Sequence, residues 1–451
     1  MRFVIIGGGP AGNQAATDAA RLGVEVTLIE RDIVGGAANL RDCIPSKAMI
    51  ATGGAMADLG RIAGMGITGA SGTLDLDILR ARIAGITSHL EEANLRILES
   101  QDVEVLTGQG RLADAHTVVA GTADGEVTLH ADAVLLSTGS RPRLPAWANP
   151  DGERILTTRD AYPPAELPDH LVVIGSGVTG VEFVHMFSSL GCHVTLVVSR
   201  EQVLPRKDPE VAAVLEEDFL RRGVRLLKGA RAIAVDRNAD SVTVTCDDGR
   251  SVTGSHALLA IGSIPNSEGL GLERAGVEVD QGGYVPINHH GQTNVPHIYA
   301  AGDLSGKLPL SSVAAMQGRK IAEHVVGGHS VAHRHLNDDK AASAIFTEPE
   351  IADVGLAEAD AFAEGRKIRV TKVPFAANAR AVIDNDPRGF VKIISDPATG
   401  VILGGSIVGR HAAELISVLA VAVTAGLRVA DIVESMLVHP ALAEALADAA
   451  D

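Results

Sequence analysis

Sulfur, aromatic rings and positive charge are all scarce in this chain of 451 residues. Three cysteines are an odd number and far too few to staple a fold of this length, so a disulfide framework is excluded and a reducing compartment is expected. Phe, Trp and Tyr make up 3% of the residues, while hydrophobic residues of all kinds reach 46%, so the core must be built from Ala, Val, Ile and Leu. Lys and Arg total 39 against 56 Asp and Glu, a net charge of −17 that argues against a nucleic-acid binder or a protein adhering to an anionic membrane. Long apolar runs are missing too. Residues 3–6 are too few for a signal-peptide core, and the most apolar stretch, residues 415–427, is broken by Ser417, Thr424 and Gly426. These segments read as a first strand and a buried helix, with no membrane insertion and the cytoplasm as the expected location.

Glycine, by contrast, is abundant at 49 residues, and its placement repeats. Gly7, Gly9 and Gly12 recur in unbroken register as Gly175, Gly177 and Gly180, and Val26-Thr27-Leu28 recur as Val194-Thr195-Leu196. Each copy reads as a short apolar strand, a GxGxxG turn, a helix, a glycine stop and a second strand, which is the context a lone glycine motif lacks. The first glycine permits the tight turn, the second lets a pyrophosphate approach the backbone, and the third lets helix and strand pack closely. The phosphates then meet unpaired N–H groups at the helix N-terminus. Ordinary strand-to-helix turns are the bland alternative for one motif; two copies in register leave it little room.

The copies diverge where a ribose is read. The first ends its second strand in Glu30, an acid suited to an adenosine ribose with a free 2′-OH, so FAD and NAD both qualify. At the matching place the second copy has Val198 followed by Ser199 and Arg200, a hydroxyl and a guanidinium that favour the 2′-phosphate of NADPH over NADH; the alternative is that both are solvated loop residues. Two dinucleotide sites in one chain imply electron transfer between a nicotinamide and a flavin. A small-residue run ending in Asp303 (residues 298–303) suits a ribityl chain, although Gly-Asp is also a common turn pair.

Taken with Cys43-Ile44-Pro45-Ser46-Lys47, Ser137-Thr138-Gly139-Ser140, Pro265-Asn266, Phe346-Thr347-Glu348-Pro349-Glu350 and His439-Pro440, these motifs resemble the flavoprotein disulfide reductase family along nearly the whole chain. The resemblance implies an α/β protein with two Rossmann-like dinucleotide-binding domains and a C-terminal α+β dimerisation domain. The FAD domain would be split over residues 1–150 and 271–336, with an NAD(P) domain at 151–270 and an interface domain at 337–451 forming a homodimer. By the same resemblance Glu30, Gly110, Thr138, Gly139, Asp303, Leu310 and Ser311 approach FAD, Gly262 belongs to the cofactor-binding set, and Lys47 and Glu182 form an ion pair beside flavin N5. A surface helix acid is the alternative for Glu182.

The family's redox loop carries two cysteines, and here Ala38 stands where the first is expected while Cys43 matches the flavin-proximal one. An alanine cannot take part in a dithiol cycle. Cys43 is expected at a helix start, where the dipole favours thiolate, whereas Cys192 and Cys246 read as small buried hydrophobes. In the family the histidine matching His439, oriented by the acid matching Glu444, serves the missing thiol from the partner subunit. Here it either protonates another acceptor or persists as an interface residue. The expected function is therefore an FAD-dependent NAD(P)H:quinone oxidoreductase acting on a small-molecule electron acceptor. Soluble pyridine-nucleotide transhydrogenase and a non-catalytic FAD-binding sensor or scaffold are the alternatives. No spacing of Cys and His suggests a metal.

Overall fold

The computed structural model describes residues 1–327 and 336–451. They divide into two compact units, the first made of residues 1–46, 77–143 and 263–338 and the second of 47–76, 144–262 and 339–451.

The first unit is built on a seven-stranded sheet. Five strands run parallel in the order Ile298–Ala300, Ala133–Leu136, Arg2–Ile6, Glu25–Glu30 and Glu104–Leu112, and Thr117–Thr122 and Gly125–His130 extend it antiparallel. Buried parallel strands carry apolar residues on both faces, and the alternation is visible in the packing. Phe3, Ile5, Val26, Leu28 and Leu135 enter one core, while Val4, Ile6, Ile29, Val134 and Leu136 enter the other. The helix Pro10–Arg21 covers the first face with alanines, and the helix Ser311–Val325 crosses it so closely that a β-carbon on Gly318 would lie 2.1 Å from Ala11 O. Small side chains at such crossings explain how so large a core forms with so few aromatics.

The second unit repeats the arrangement. Its five parallel strands run Ile155–Thr157, His256–Leu259, His170–Ile174, His193–Val198 and Arg225–Lys228, the same order about the glycine turn as in the first unit. The same unit holds a three-stranded antiparallel sheet (Ala232–Arg237, Val242–Cys246, Ser251–Gly254) and, in residues 339–451, a five-stranded antiparallel sheet whose inner strands are Glu350–Gly355, Ile402–Gly409 and Phe390–Ser395. The helix Ala412–Ala425 packs Ile416, Leu419, Ala422 and Val423 into that last core. It is not wholly buried as its composition suggests: Val418 and Val421 face outward, joined in exposure by Val433, Met436 and Val438. No helix among the described residues is long and apolar enough to cross a membrane.

Candidate functional site

The two glycine turns have one design. Gly7 (φ +107°) and Gly175 (φ +111°) lie where a β-carbon would come within 2.4 Å of Ser137 O and 2.3 Å of Ala260 O. A β-carbon on Gly12 or Gly180 would fall 2.0 and 1.8 Å from the carbonyl of the first glycine of its own motif. The middle glycines differ in kind. Nothing lies nearer than 3.9 Å to a β-carbon on Gly9, and nothing within 4 Å of one on Gly177. Both are helix N-caps without a side-chain cap, so their helices present backbone N–H groups into open space. That fits a pyrophosphate, which supplies the acceptors the chain itself does not.

Around the first turn the polar groups are fixed by one another. Glu30 accepts the Gly8 N–H at 2.6 Å and the Asp32 N–H at 2.8 Å, one on each carboxylate oxygen. Thr138 Oγ1 donates to Asn266 O at 2.8 Å, and Asn266 Nδ2 donates back to Thr138 O at 2.9 Å, so the Thr138-Gly139 turn is tied to the neighbouring loop. Asp303 is held by Ser140 Oγ at 2.6 Å, and the preceding Gly302 N–H donates to the buried Gln317. Leu310 caps the helix Ser311–Val325, and Ser311 begins it. Gly110 lies in the sheet rather than at a turn, where a β-carbon would meet Ile6 Cγ2 at 2.9 Å.

Cys43 is not at a helix start. It closes a π-helical turn, Ala38–Cys43, that runs directly into the helix Ile44–Arg61, with Ile44 N–H donating to Asn39 O. The thiol therefore lies inside a continuous helical stretch, beyond the first turn in which dipole stabilisation is concentrated. Cys246 is buried and Cys192 half-buried. Burial, then Asp169, pushes the Cys192 thiol up to about 11, and burial raises that of Cys246, so neither is a reactive thiolate.

In the second unit Glu182 is no surface acid. Its carboxylate is buried, with Lys47 Nζ 2.7 Å from Oε2 and the Phe346 N–H donating to Oε1 at 3.0 Å. Phe346 opens the Phe346-Thr347-Glu348-Pro349-Glu350 motif, but its backbone contact carries no sequence signal. Ser199 and Arg200 are exposed just past the buried Val198, and Arg200 makes no ion pair among the described residues. Gly262 (φ +93°) follows the strand His256–Leu259 at an exposed turn. His439 Nδ1 lies 2.8 Å from Glu444 Oε1, and Glu444 Oε2 accepts the Ala441 N–H at 2.8 Å. That N–H, and then His439, hold Glu444 below the usual carboxylate range. Asp208, Glu210 and Glu358 come close enough to share an ion, but they surround the Lys392 ammonium, which already supplies the positive charge.

Two Rossmann-like modules with intact phosphate turns, in a chain that also carries a five-stranded antiparallel sheet, define a protein that carries two dinucleotides. Residues 1–318 match the pyridine nucleotide-disulphide oxidoreductase model, and residues 341–450 match that family's dimerisation domain. The chain belongs to the pyridine nucleotide-disulphide oxidoreductase family. It is 44% identical to an NAD(P)H dehydrogenase (quinone) of Mycobacterium tuberculosis, over 100% of this chain and 93% of that protein. It is 33% identical to a dihydrolipoyl dehydrogenase of Zymomonas mobilis, over 98% and 96%. Among solved structures it is similar to LpdA of Mycobacterium tuberculosis, with a TM-score of 0.95 and 43% identity over 100% of this chain and 99% of that one. It is also similar to the HOCl-induced flavoprotein disulfide reductase RclA of Escherichia coli, with a TM-score of 0.88 and 25% identity over 100% and 99%.

Proposed function

We propose that this protein is an FAD-dependent NAD(P)H:quinone oxidoreductase, catalysing NAD(P)H + H⁺ + quinone → NAD(P)⁺ + quinol. The observation that carries the reading is a subtraction: both phosphate turns and the Lys47–Glu182 pair are kept, while position 38, one π turn before Cys43, has no sulfur. A relative at 44% identity named NAD(P)H dehydrogenase (quinone) supports it.

FAD, when bound, supplies the two-electron carrier that links the nicotinamide to the acceptor. The first unit holds it: Gly7, Gly9 and Gly12 admit the pyrophosphate, Glu30 takes the adenosine ribose, Thr138 and Gly139 line the cofactor, and Asp303 takes the ribityl hydroxyls. Gly110, Leu310 and Ser311 complete that set. Gly175, Gly177, Gly180 and Gly262 serve the nicotinamide dinucleotide, with Ser199 and Arg200 at its 2′ position. The FAD domain is residues 1–150 and 271–336, the NAD(P) domain 151–270, and the interface domain 337–451. Lys47 and Glu182 act on the nicotinamide side of the flavin, and Cys43 acts beside it.

The acceptor side is completed by a homodimer, in which the exposed Val418, Val421, Val433 and Met436 are covered by a second copy. With Nδ1 engaged by Glu444, His439 has Nε2 left to deliver a proton to a quinone oxygen. The test is steady-state turnover of FAD-loaded protein with NADPH and NADH against a panel of quinones, lipoamide, glutathione disulfide and thio-NAD, repeated with Arg200→Ala. Quinone reduction is expected to dominate, and Arg200→Ala to erase any preference for NADPH. Inertness toward every quinone would overturn the reading; equal turnover of thio-NAD would favour a transhydrogenase.

A further inference from the structure

Residues 346–348 touch both members of the Lys47–Glu182 pair and are themselves gripped from two sides. The Phe346 N–H donates to Glu182 Oε1 at 3.0 Å, on the carboxylate oxygen that Lys47 leaves open, and the Phe346 ring lies 4.9 Å from Lys47 Nζ. One residue therefore fixes the carboxylate through its backbone and the ammonium through its π face. Two positions on, Glu348 accepts from Arg388 Nη2 at 2.9 Å and from Arg61. Arg61 ends the helix Ile44–Arg61 that carries Lys47. Arg388 continues to Asp386 at 2.6 Å and Asp218 at 2.7 Å. Asp218 meets Arg222, whose guanidinium reaches His185 Nδ1 at 3.0 Å, one turn beyond Glu182 on the helix Val178–Ser189. Arg61, Arg222 and Arg388 with Asp218, Glu348 and Asp386, flanked by Asp58 on Arg61 and Arg221 on Asp218, thus form a half-buried hub that ends on both helices of the pair.

We propose that residues 346–348 are a positioning strap: Phe346 holds Lys47 and Glu182 in one relative geometry, and Glu348, clamped by Arg61 and Arg388, holds Phe346. The proposal rests on the reading that the pair serves the nicotinamide side of the flavin. Phe346 is a positioning residue, so its loss acts on the rate of flavin reduction rather than on binding.

The experiment is anaerobic stopped-flow reduction of the full-length holoenzyme by NADPH and NADH, with Phe346→Leu, Phe346→Tyr, Glu348→Gln and Glu182→Gln beside the parent. Phe346→Leu is expected to slow flavin reduction roughly tenfold, with FAD retained and the nucleotide's half-saturating concentration within about twofold. Phe346→Tyr, which keeps the ring, recovers the rate to within about twofold. If Phe346→Leu cannot be obtained as holoenzyme, Glu348→Gln decides, with a fall of about threefold expected and the parent rate overturning the strap. A parent rate in Phe346→Leu, or an equal loss in the Leu and Tyr variants, overturns the strap while a slow Glu182→Gln leaves the role of the pair standing. A parent rate in Glu182→Gln overturns the role of the pair and the strap with it.

Discussion

Ala38 and Cys43 stand at the two ends of one π-helical turn. A π turn closes i→i+5 hydrogen bonds, so residues five apart lie on successive turns of neighbouring faces. Two positions one turn apart are near enough in the chain for a pair of thiols, and only the second carries sulfur. The turn keeps a dithiol's scaffold without the dithiol.

Restoring the missing sulfur tests that geometry. Ala38→Cys is expected to form a disulfide with Cys43 in air, so that the denatured variant titrates two thiols fewer when oxidised than after treatment with a reductant. The parent protein, with Ala38, should show no such difference. A variant that stays fully reduced under air would mean that the turn holds the two side chains apart.

The repeat is legible because the first and third glycines of each motif are demanded by backbone contacts. Where a β-carbon on Gly12 or Gly180 would lie 2.0 or 1.8 Å from a carbonyl oxygen, no other residue fits, and the demand is written into the sequence. Of the two short edge strands, Ile298–Ala300 is legible as the small-residue strand that ends in Asp303, whereas Ile155–Thr157 is a three-residue piece with no such signal. The π turn was missed because six residues without apolar periodicity do not distinguish it from the start of an α-helix, and so Cys43 was expected one turn too early. Phe346 was missed as a partner of Glu182 for a different reason: any non-proline residue there offers the same N–H.

Gly177 separates ligand approach from folding. A β-carbon on Gly180 would collide with the protein's own backbone, but one on Gly177 would meet nothing within 4 Å. Gly177→Ala is therefore expected to fold with the parent's melting temperature and FAD content, and to raise KM for NAD(P)H by roughly tenfold or more because only the pyrophosphate meets the new methyl. An unchanged KM would show that the dinucleotide does not cross this turn.

The His439–Glu444 pair predicts a split between half-reactions. The His439 ring is 73% exposed and, among the described residues, is held at Nδ1. Glu444→Gln keeps the volume but replaces the carboxylate beside Nδ1 with a neutral amide. Quinone turnover is expected to fall roughly tenfold or more, while anaerobic flavin reduction by NAD(P)H keeps the parent rate. Equal effects on both half-reactions would assign the pair to structure alone.

His185 gives the protein a pH-dependent stability outside the catalytic groups. A guanidinium can only donate, so the 3.0 Å contact from Arg222 Nη1 requires an unprotonated Nδ1. Burial, followed by the charges of Arg222 and Arg388, holds the imidazole down at about 3. In the unfolded chain the same ring titrates near ~6.5. Between these values the unfolded state binds a proton that the native state refuses, so stability is complete above ~6.5 and falls as the pH drops below it, by up to ~1.4 kcal/mol per pH unit. Burial holds the His170 and His256 imidazoles below their ordinary value too, so they share the window from pH 5 to 6.5, and the part played by His185 is read from the difference between parent and variant. His185→Gln offers Arg222 an acceptor that does not titrate. Its melting temperature is expected to gain on the parent's steadily as the pH is lowered through that window, with a constant difference above it; parallel melting curves from pH 8 to 5 would assign the acid sensitivity to other groups.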